Sequence, residues 1–469
     1  MQRAFSKKRV LAMLALSVSS VWLGQAHADT PVSWANAGAS GNWSVAADWT
    51  PTVSPNGAYA VTLPTGSETV TLDVSPTIDS LVLGSGATLK TNAGTSLASG
   101  SLNNSGTALF ASGSTFTISG TATNSGGIDT SSGTTVSITG NVTNSAGFST
   151  GFYAGGNNKL NVSGTFNNTG TLELISGGDV ANVNALNNQA TMVLNGGTTL
   201  NITGGGLGVT DVPGGSQYVI GGTFNIINSA VTSSALAHLA SVEGTLRLGS
   251  GQSYNFGPLT DSGGIDVSAG TTLSITGNVT NSGGFSTGFY AGGNNKLNVS
   301  GTFSNTGTLE LISSGDVVNV NTLNNKANLV LDGGTSLHIG SGSFSASSGY
   351  QQLANGTFDE IIGGAGTFGT ANISGPMALG GTLDVTLVNG FMPALGESFT
   401  FLDGTPNELS GAYASVVGQP FAGGQWLVGY NDAAGTVTLT AAVPEPTSIA
   451  ILCVSGFGLL RRRRRSVQQ

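Results

Sequence analysis

Three pairs of acidic residues stand in matching contexts 137 positions apart: Asp129 and Asp266, Glu173 and Glu310, Asp179 and Asp316. Carboxylates do general acid–base work when two share a site, often beside a cation that steadies developing charge. Here each acid stands alone in its segment, and Arg247 is the one arginine between the two terminal segments. His238 and His338 lie in unrelated contexts, as metal ligands rarely do. The sequence holds no H-E-x-x-H, no G-x-S-x-G, no P-loop and no glycine-rich calcium nonapeptide. The expectation is therefore a protein with no catalytic residue, no metal and no cofactor. A polysaccharide lyase-like enzyme is the surviving enzymatic alternative.

Aromatic residues offer a different chemistry. Residues 148–158 and 285–295 are the same loop, FSTGFYAGGNN, and carry Phe152-Tyr153 and Phe289-Tyr290 between glycines. Such pairs can stack on sugar rings or enter a partner's pocket, or they can lie as a flap on the body of the fold. Trp34, Trp43 and Trp49 cluster near the start of a chain otherwise poor in tryptophan. They read first as a cover for the end of the fold and second as a carbohydrate platform.

The elements that must position these residues repeat. Gly126–Ile202 reappears as Gly263–Ile339 with mild changes, such as Val136 to Leu273 and Met192 to Leu329. Leading into and through each block, Asn104, Asn124, Asn144, Asn168 and Asn188, then Asn281, Asn305 and Asn325, open similar segments every 20 or 24 residues. Asp261 takes the first asparagine's place in the second block. Between these markers apolar and small polar residues alternate, as in Thr135-Val136-Ser137-Ile138, which reads as a strand with one buried face. Gly140, Gly164, Gly204, Gly277 and Gly301 close the strands, where a positive φ or a tight corner is expected.

A coil of about 20 residues with short strands and glycine corners predicts one rung of a solenoid. The expected fold is all-β, a right-handed parallel β-solenoid (β-helix) capped at both ends. Its asparagines would stack in a hydrogen-bonded ladder. The expected divisions are a signal over 1–28, a Trp-rich cap with first strands over 29–100, the solenoid over 101–339, an irregular β region over 340–442 and a sorting tail over 443–469.

Composition agrees. Charged residues are 8% of the 469, against about 25% in an ordinary soluble domain, and glycine numbers 74. That excludes a large helical or α/β enzyme. Arg3, Lys7, Lys8 and Arg9, an apolar run over 10–23, and Ala26-His27-Ala28 have the order of a cleavable secretory signal, with Ala26 and Ala28 at the cleavage site. At the other end Pro444-Glu445-Pro446 precedes an apolar segment, 449–460, and then Arg461, Arg462, Arg463, Arg464 and Arg465. Five guanidinium groups stop translocation, so this segment is expected to lodge transiently in the inner membrane as a short helix outside the fold. Without the two ends, five basic residues face 22 acidic ones, a net charge near −17. Nucleic acid is not an expected partner. Cys453, the one cysteine, lies in the tail.

The tail resembles a PEP-CTERM sorting signal, in the Pro-Glu-Pro triplet, the apolar helix ending Gly456-Phe457-Gly458-Leu459-Leu460, and the arginine cluster. The resemblance implies export from a Gram-negative cell through the general secretion machinery and processing by an exosortase near the triplet. It also implies a place in the envelope, on the outer surface or in the extracellular matrix, with extracellular polysaccharide as a candidate partner. The segments SWANAGASGNWSVAADWTP and VTLDVSPTIDSLVLGSGATL resemble the opening of autotransporter-like β-solenoid surface proteins. No membrane-barrel segment is recognisable at the C-terminus, so a self-translocating protein is not expected. The expected function is a structural or adhesive, biofilm-associated surface element, with a carbohydrate-binding module as the alternative.

Overall fold

The computed structural model describes residues 29–443 except 37, 152–154, 230, 291, 332–334, 340–348, 353, 355–356, 419–420 and 422–423. Across them the chain is almost wholly short strands, wound into a parallel β-solenoid of about 14 turns. The fold class expected from the sequence is observed. Among the described residues no helix is long and apolar enough to cross a membrane. The signal over 1–28, the Pro-Glu-Pro triplet, the apolar segment 449–460 and Arg461–Arg465 lie outside the described residues.

One turn shows why the sequence folds this way. Ala122–Asn124, Gly127–Thr130 and Thr135–Ile138 are its three strands. In each, every second side chain is buried and its neighbours are not. The next turn repeats the pattern in register, pairing Ala122 with Val142, Ile128 with Phe148 and Val136 with Leu160. The inward residues stack column upon column into one apolar core that no single turn could bury. The first, middle and third strands of successive turns thus form three parallel columns.

Two sides of each turn merge where the third strand runs directly into the first strand of the next. Lys159–Asn168, Val180–Asn188, Lys296–Asn305 and Val317–Asn325 are such fused strands. Their pairing shifts between Val162 and Thr165, and between Val299 and Thr302. Gly164 and Gly301 sit in these bends. Of the five corner glycines expected to need a positive φ or a tight corner, only Gly277 has the φ, at +115°. The others are glycine because the turn below is too close: a Cβ on Gly140 or Gly164 would meet backbone at 2.5 Å.

The asparagine ladder forms as expected. Nδ2 of Asn104, Asn124 and Asn144 each donates to Oδ1 of the next ladder residue at 2.7 Å, and Asn168 to Asn188 at 2.6 Å. The second block repeats this from Asn281 to Asn305 and on to Asn325 at 2.8 and 2.7 Å. The amides also serve the turn, since Asn104 Oδ1 accepts from Gly106 N at 3.1 Å. Each of these buried bonds contributes on the order of 1 kcal/mol.

The two blocks are joined unevenly. The middle column runs without a break through Thr191–Leu194, Gln217–Ile220 and Thr245–Leu248. The third column ends at Thr223–Asn228, which folds back in an antiparallel hairpin with Val231–Ser234. The first column stops at Asn188, whose carbonyl accepts from Tyr218 Oη at 3.0 Å, and resumes at Asp211–Val212.

Both ends are covered. Trp34, Trp43 and Trp49 meet edge to face with centroids 5.0 and 4.9 Å apart, inside the strand Thr30–Trp34 that opens the stack. Beyond residue 340 the parallel middle column continues through Thr357–Gly364, Thr382–Leu387 and Ser415–Gly418. The antiparallel strands Gln425–Asn431 and Thr436–Ala442 lie against Ser398–Asp403 and close the far end.

Candidate functional site

The middle column carries most of the chain's chemistry on its outer face. Because side chains alternate, the third residue of each four-residue strand points outward, and the register stacks these residues in one line. Their order is Thr71, Lys90, Leu109, Asp129, Ser149, Glu173, Val193, Val219, Arg247, Asp266, Ser286, Glu310, Val330, Asp359 and Asp384. Acids expected to stand apart, one or more turns from each other, therefore share a face. Asp129 and Glu173 are two strands apart, about 10 Å at the spacing of a β-ladder, and so are Asp266 and Glu310. A serine stands between the two acids of each pair and bonds one of them: Ser149 Oγ donates to Glu173 Oε2 at 3.0 Å, and Ser286 Oγ to Asp266 Oδ1 at 3.1 Å.

Crowding on this face raises carboxyl pKa values. Burial raises Asp129, and the negative charge of Glu173 raises it further. Burial also raises Glu310. Asp359 is pushed up to about 6 by burial, then by the neighbouring Asp384 and by Glu310.

The third acidic pair has a different task. Asp179 and Asp316 are fully buried and clamp the base of the aromatic loops. Asp179 Oδ1 accepts from Asn158 N at 3.0 Å and Asn158 Nδ2 at 2.9 Å, while its Oδ2 accepts from Thr150 Oγ1 at 2.8 Å. Asp316 Oδ1 repeats this with Asn295 N and Nδ2 at 3.0 and 2.9 Å. Burial raises the pKa of Asp316, and the donors around it pull the other way.

Phe152 and Tyr153 lie outside the described residues. In the second loop Phe289 and Tyr290 are 57% and 54% exposed, with rings 4.8 Å apart and edge to face. The loop folds onto the middle column. Phe289 N donates to Asp266 Oδ1 at 3.0 Å, and Ser268 Oγ bonds the other oxygen of Asp266. The Arg247 guanidinium lies 3.5 Å from the centre of the Tyr290 ring, a cation–π contact that fixes the ring. A cleft of about 230 Å³ opens on one side of Tyr290, lined by Asp266, Ser286, Phe289 and Glu310. Another of about 260 Å³ opens on the other, lined by Asn195, Val219, Arg247 and Ser250. A carboxylate-lined cleft under an exposed aromatic pair can stack on a ring and accept hydrogen bonds from hydroxyls.

The tryptophan platform is corrected. Trp34, Trp43 and Trp49 are at most 2% exposed. Their indoles donate inward, Trp43 Nε1 to Pro55 O at 2.9 Å and Trp49 Nε1 to Trp43 O at 3.0 Å. No ring face is open to stack on a sugar, because closing the end of the core consumes all three. His238 is exposed, and His338 lies in a separate strand, Ser336–Ile339. Among the described residues no group of three or more His, Cys, Asp and Glu could hold a metal.

The joining of Arg247 to Tyr290 was not read from the sequence. The signal was available: aligning TLRL with GIDV, GFST and TLEL at their third residues puts Arg247, Asp266, Ser286 and Glu310 in one row.

Residues 442–465 match the PEP-CTERM protein-sorting motif. No curated protein matches the chain. The motif implies processing by an exosortase, export, and a place at the cell surface or outside the cell.

Proposed function

We propose that this chain, delivered by its PEP-CTERM tail, is a non-enzymatic structural or adhesive element of the cell surface or the extracellular matrix of a Gram-negative biofilm. The observation that carries the reading is the unbroken middle column. Its turns, stacked at β-ladder spacing, make a rod of about 65 Å with one continuous core. Such a rod holds its outer face at fixed spacing, which suits a scaffold or a long contact surface. In this reading the secretion machinery removes residues 1–28, the segment 449–460 lodges briefly in the inner membrane, and the exosortase releases the body near Pro444.

Deleting residues 444–469 tests the sorting step, read by protease accessibility on intact cells. The full chain is expected at the surface and the deletion not. Incubating the purified protein with acidic polysaccharides tests the non-enzymatic claim. Depolymerisation would overturn it.

A second reading, carbohydrate binding, is favoured by one feature: Phe289 and Tyr290 stay more than half exposed over a carboxylate-lined cleft. Replacing both with Ser and measuring retention on immobilised glycans tests it. Unchanged retention removes it.

A further inference from the structure

The second amide ladder begins on a carboxyl. Asp261 pairs in register with Asn281, and Asn281 with Asn305. Each ladder asparagine makes bonds on two sides. Asn281 Oδ1 accepts from Gly283 N at 3.2 Å, while its Nδ2 donates to Asn305 Oδ1 and Thr308 O, both at 2.8 Å. Asp261 reproduces the first half, its Oδ1 accepting from Gly263 N at 3.2 Å. Its Oδ2 occupies the amide-nitrogen side of the ladder, where the register places Asn281 Oδ1 and Gly284 O, both acceptors. The side chain is fully buried, and Oδ2 has no hydrogen-bond partner. A carboxylate there would set oxygen against oxygen without water.

We infer that Asp261 is a neutral carboxylic acid when the ladder is closed, its Oδ2–H donating to Asn281 Oδ1 in place of an amide N–H, and that its ionisation opens the ladder at this end. The strands packed on either side, Ser241–Val242 and Val279–Asn281, carry no titratable side chain. Glu243 is at an exposed corner beyond the first, and Arg247 and Asp266 are on the outer line of the middle column. Tyr254, in the preceding turn, is kept protonated by burial and donates to Ile220 O at 3.2 Å. Burial raises the Asp261 pKa from 3.8 to about 7, with the Gly263 N–H pulling it down. The stability the ladder head contributes is therefore complete below about 3.8 and is lost as the pH rises through about 7. The change falls beside the joint between the two blocks, where the third column is already broken.

Hydrogen exchange over residues 259–283 of the full chain, at pH 5 and pH 8 and corrected for intrinsic rates, tests this in the wild type and in Asp261→Asn. The wild type is expected to lose roughly a hundredfold in protection at pH 8, while Asp261→Asn, with an amide in place, holds its protection at both. The same pH response in both proteins, or weaker protection of Asp261→Asn at pH 8, would overturn the inference. A carbon-13 titration of the Asp261 carboxyl in the unmodified chain is independent of the variant's folding. A midpoint near 7 supports the inference and one near 3.8 refutes it.

Discussion

The blocks 126–202 and 263–339 keep an apolar inward face, with conservative swaps such as Val136 for Leu273 and Met192 for Leu329, and differ most in the turns that precede them. Phe148 and Phe166 meet edge to face at 5.6 Å, and Phe285 and Phe303 do so at 5.4 Å. On the outer line of the middle column the turn below each block differs. Leu109 stands beside Asp129 in the first, and Arg247 stands beside Asp266 in the second. Just before each block, Asn124, the second amide of the first ladder, corresponds to Asp261, which heads the second. Stacking fixes what points inward, because every turn must fit two neighbours. It leaves the turns that flank a block free to acquire chemistry, and those before the second block supply Arg247 beneath Tyr290 and a titrating group at the ladder head.

The largest effect should fall on what the blocks share. Phe166→Ala and Phe303→Ala each empty a fully buried site and should each cost about 3–5 kcal/mol in chemical denaturation. A marked inequality between them would break the equivalence of the cores. Next come the ladders. Asn168→Ala and Asn305→Ala each take one ladder bond from the buried amide above and one from the amide below, at about 1–3 kcal/mol, again alike in the two blocks.

Arg247→Leu makes the second face resemble the first. It removes the cation from under Tyr290, at about 0.5–1 kcal/mol, and should speed proteolysis in the loop 286–295 without weakening the ladders. A loop as protected as before would show that Asp316 and Asp266 alone hold it. The smallest effect is on titration at the far end of the same line. Asp384→Asn should lower the Asp359 midpoint from about 6 toward its ordinary value, read by carbon-13 shifts. Because the folded value is raised, the stability tied to Asp359 is lost as the pH rises from 3.8 through about 6.

Much of this was legible because a solenoid writes its geometry as period. The 20-residue spacing of Asn104, Asn124 and Asn144 implied the ladder, and alternation in Thr135–Ile138 implied the buried face. The acids were legible only in part. Asp129 and Glu173 do lie two turns apart, but distance along the chain counts turns and not which side of a turn a residue occupies, so the line they share is not displayed in it. The tryptophans were ambiguous because an indole that closes a core and one that stacks on a sugar have the same composition. Only burial separates them. The corner glycines followed close approach between turns, which a single turn's sequence does not display.

The central claim is that a removable tail delivers a stacked β-solenoid. The intact mass of the protein recovered from the producing cells tests it most directly. The expected mass is that of a chain that begins at Asp29 and ends near the Pro444-Glu445-Pro446 triplet, allowing for the mass of any attached acceptor. A mass that still includes Arg461–Arg465 would contradict it.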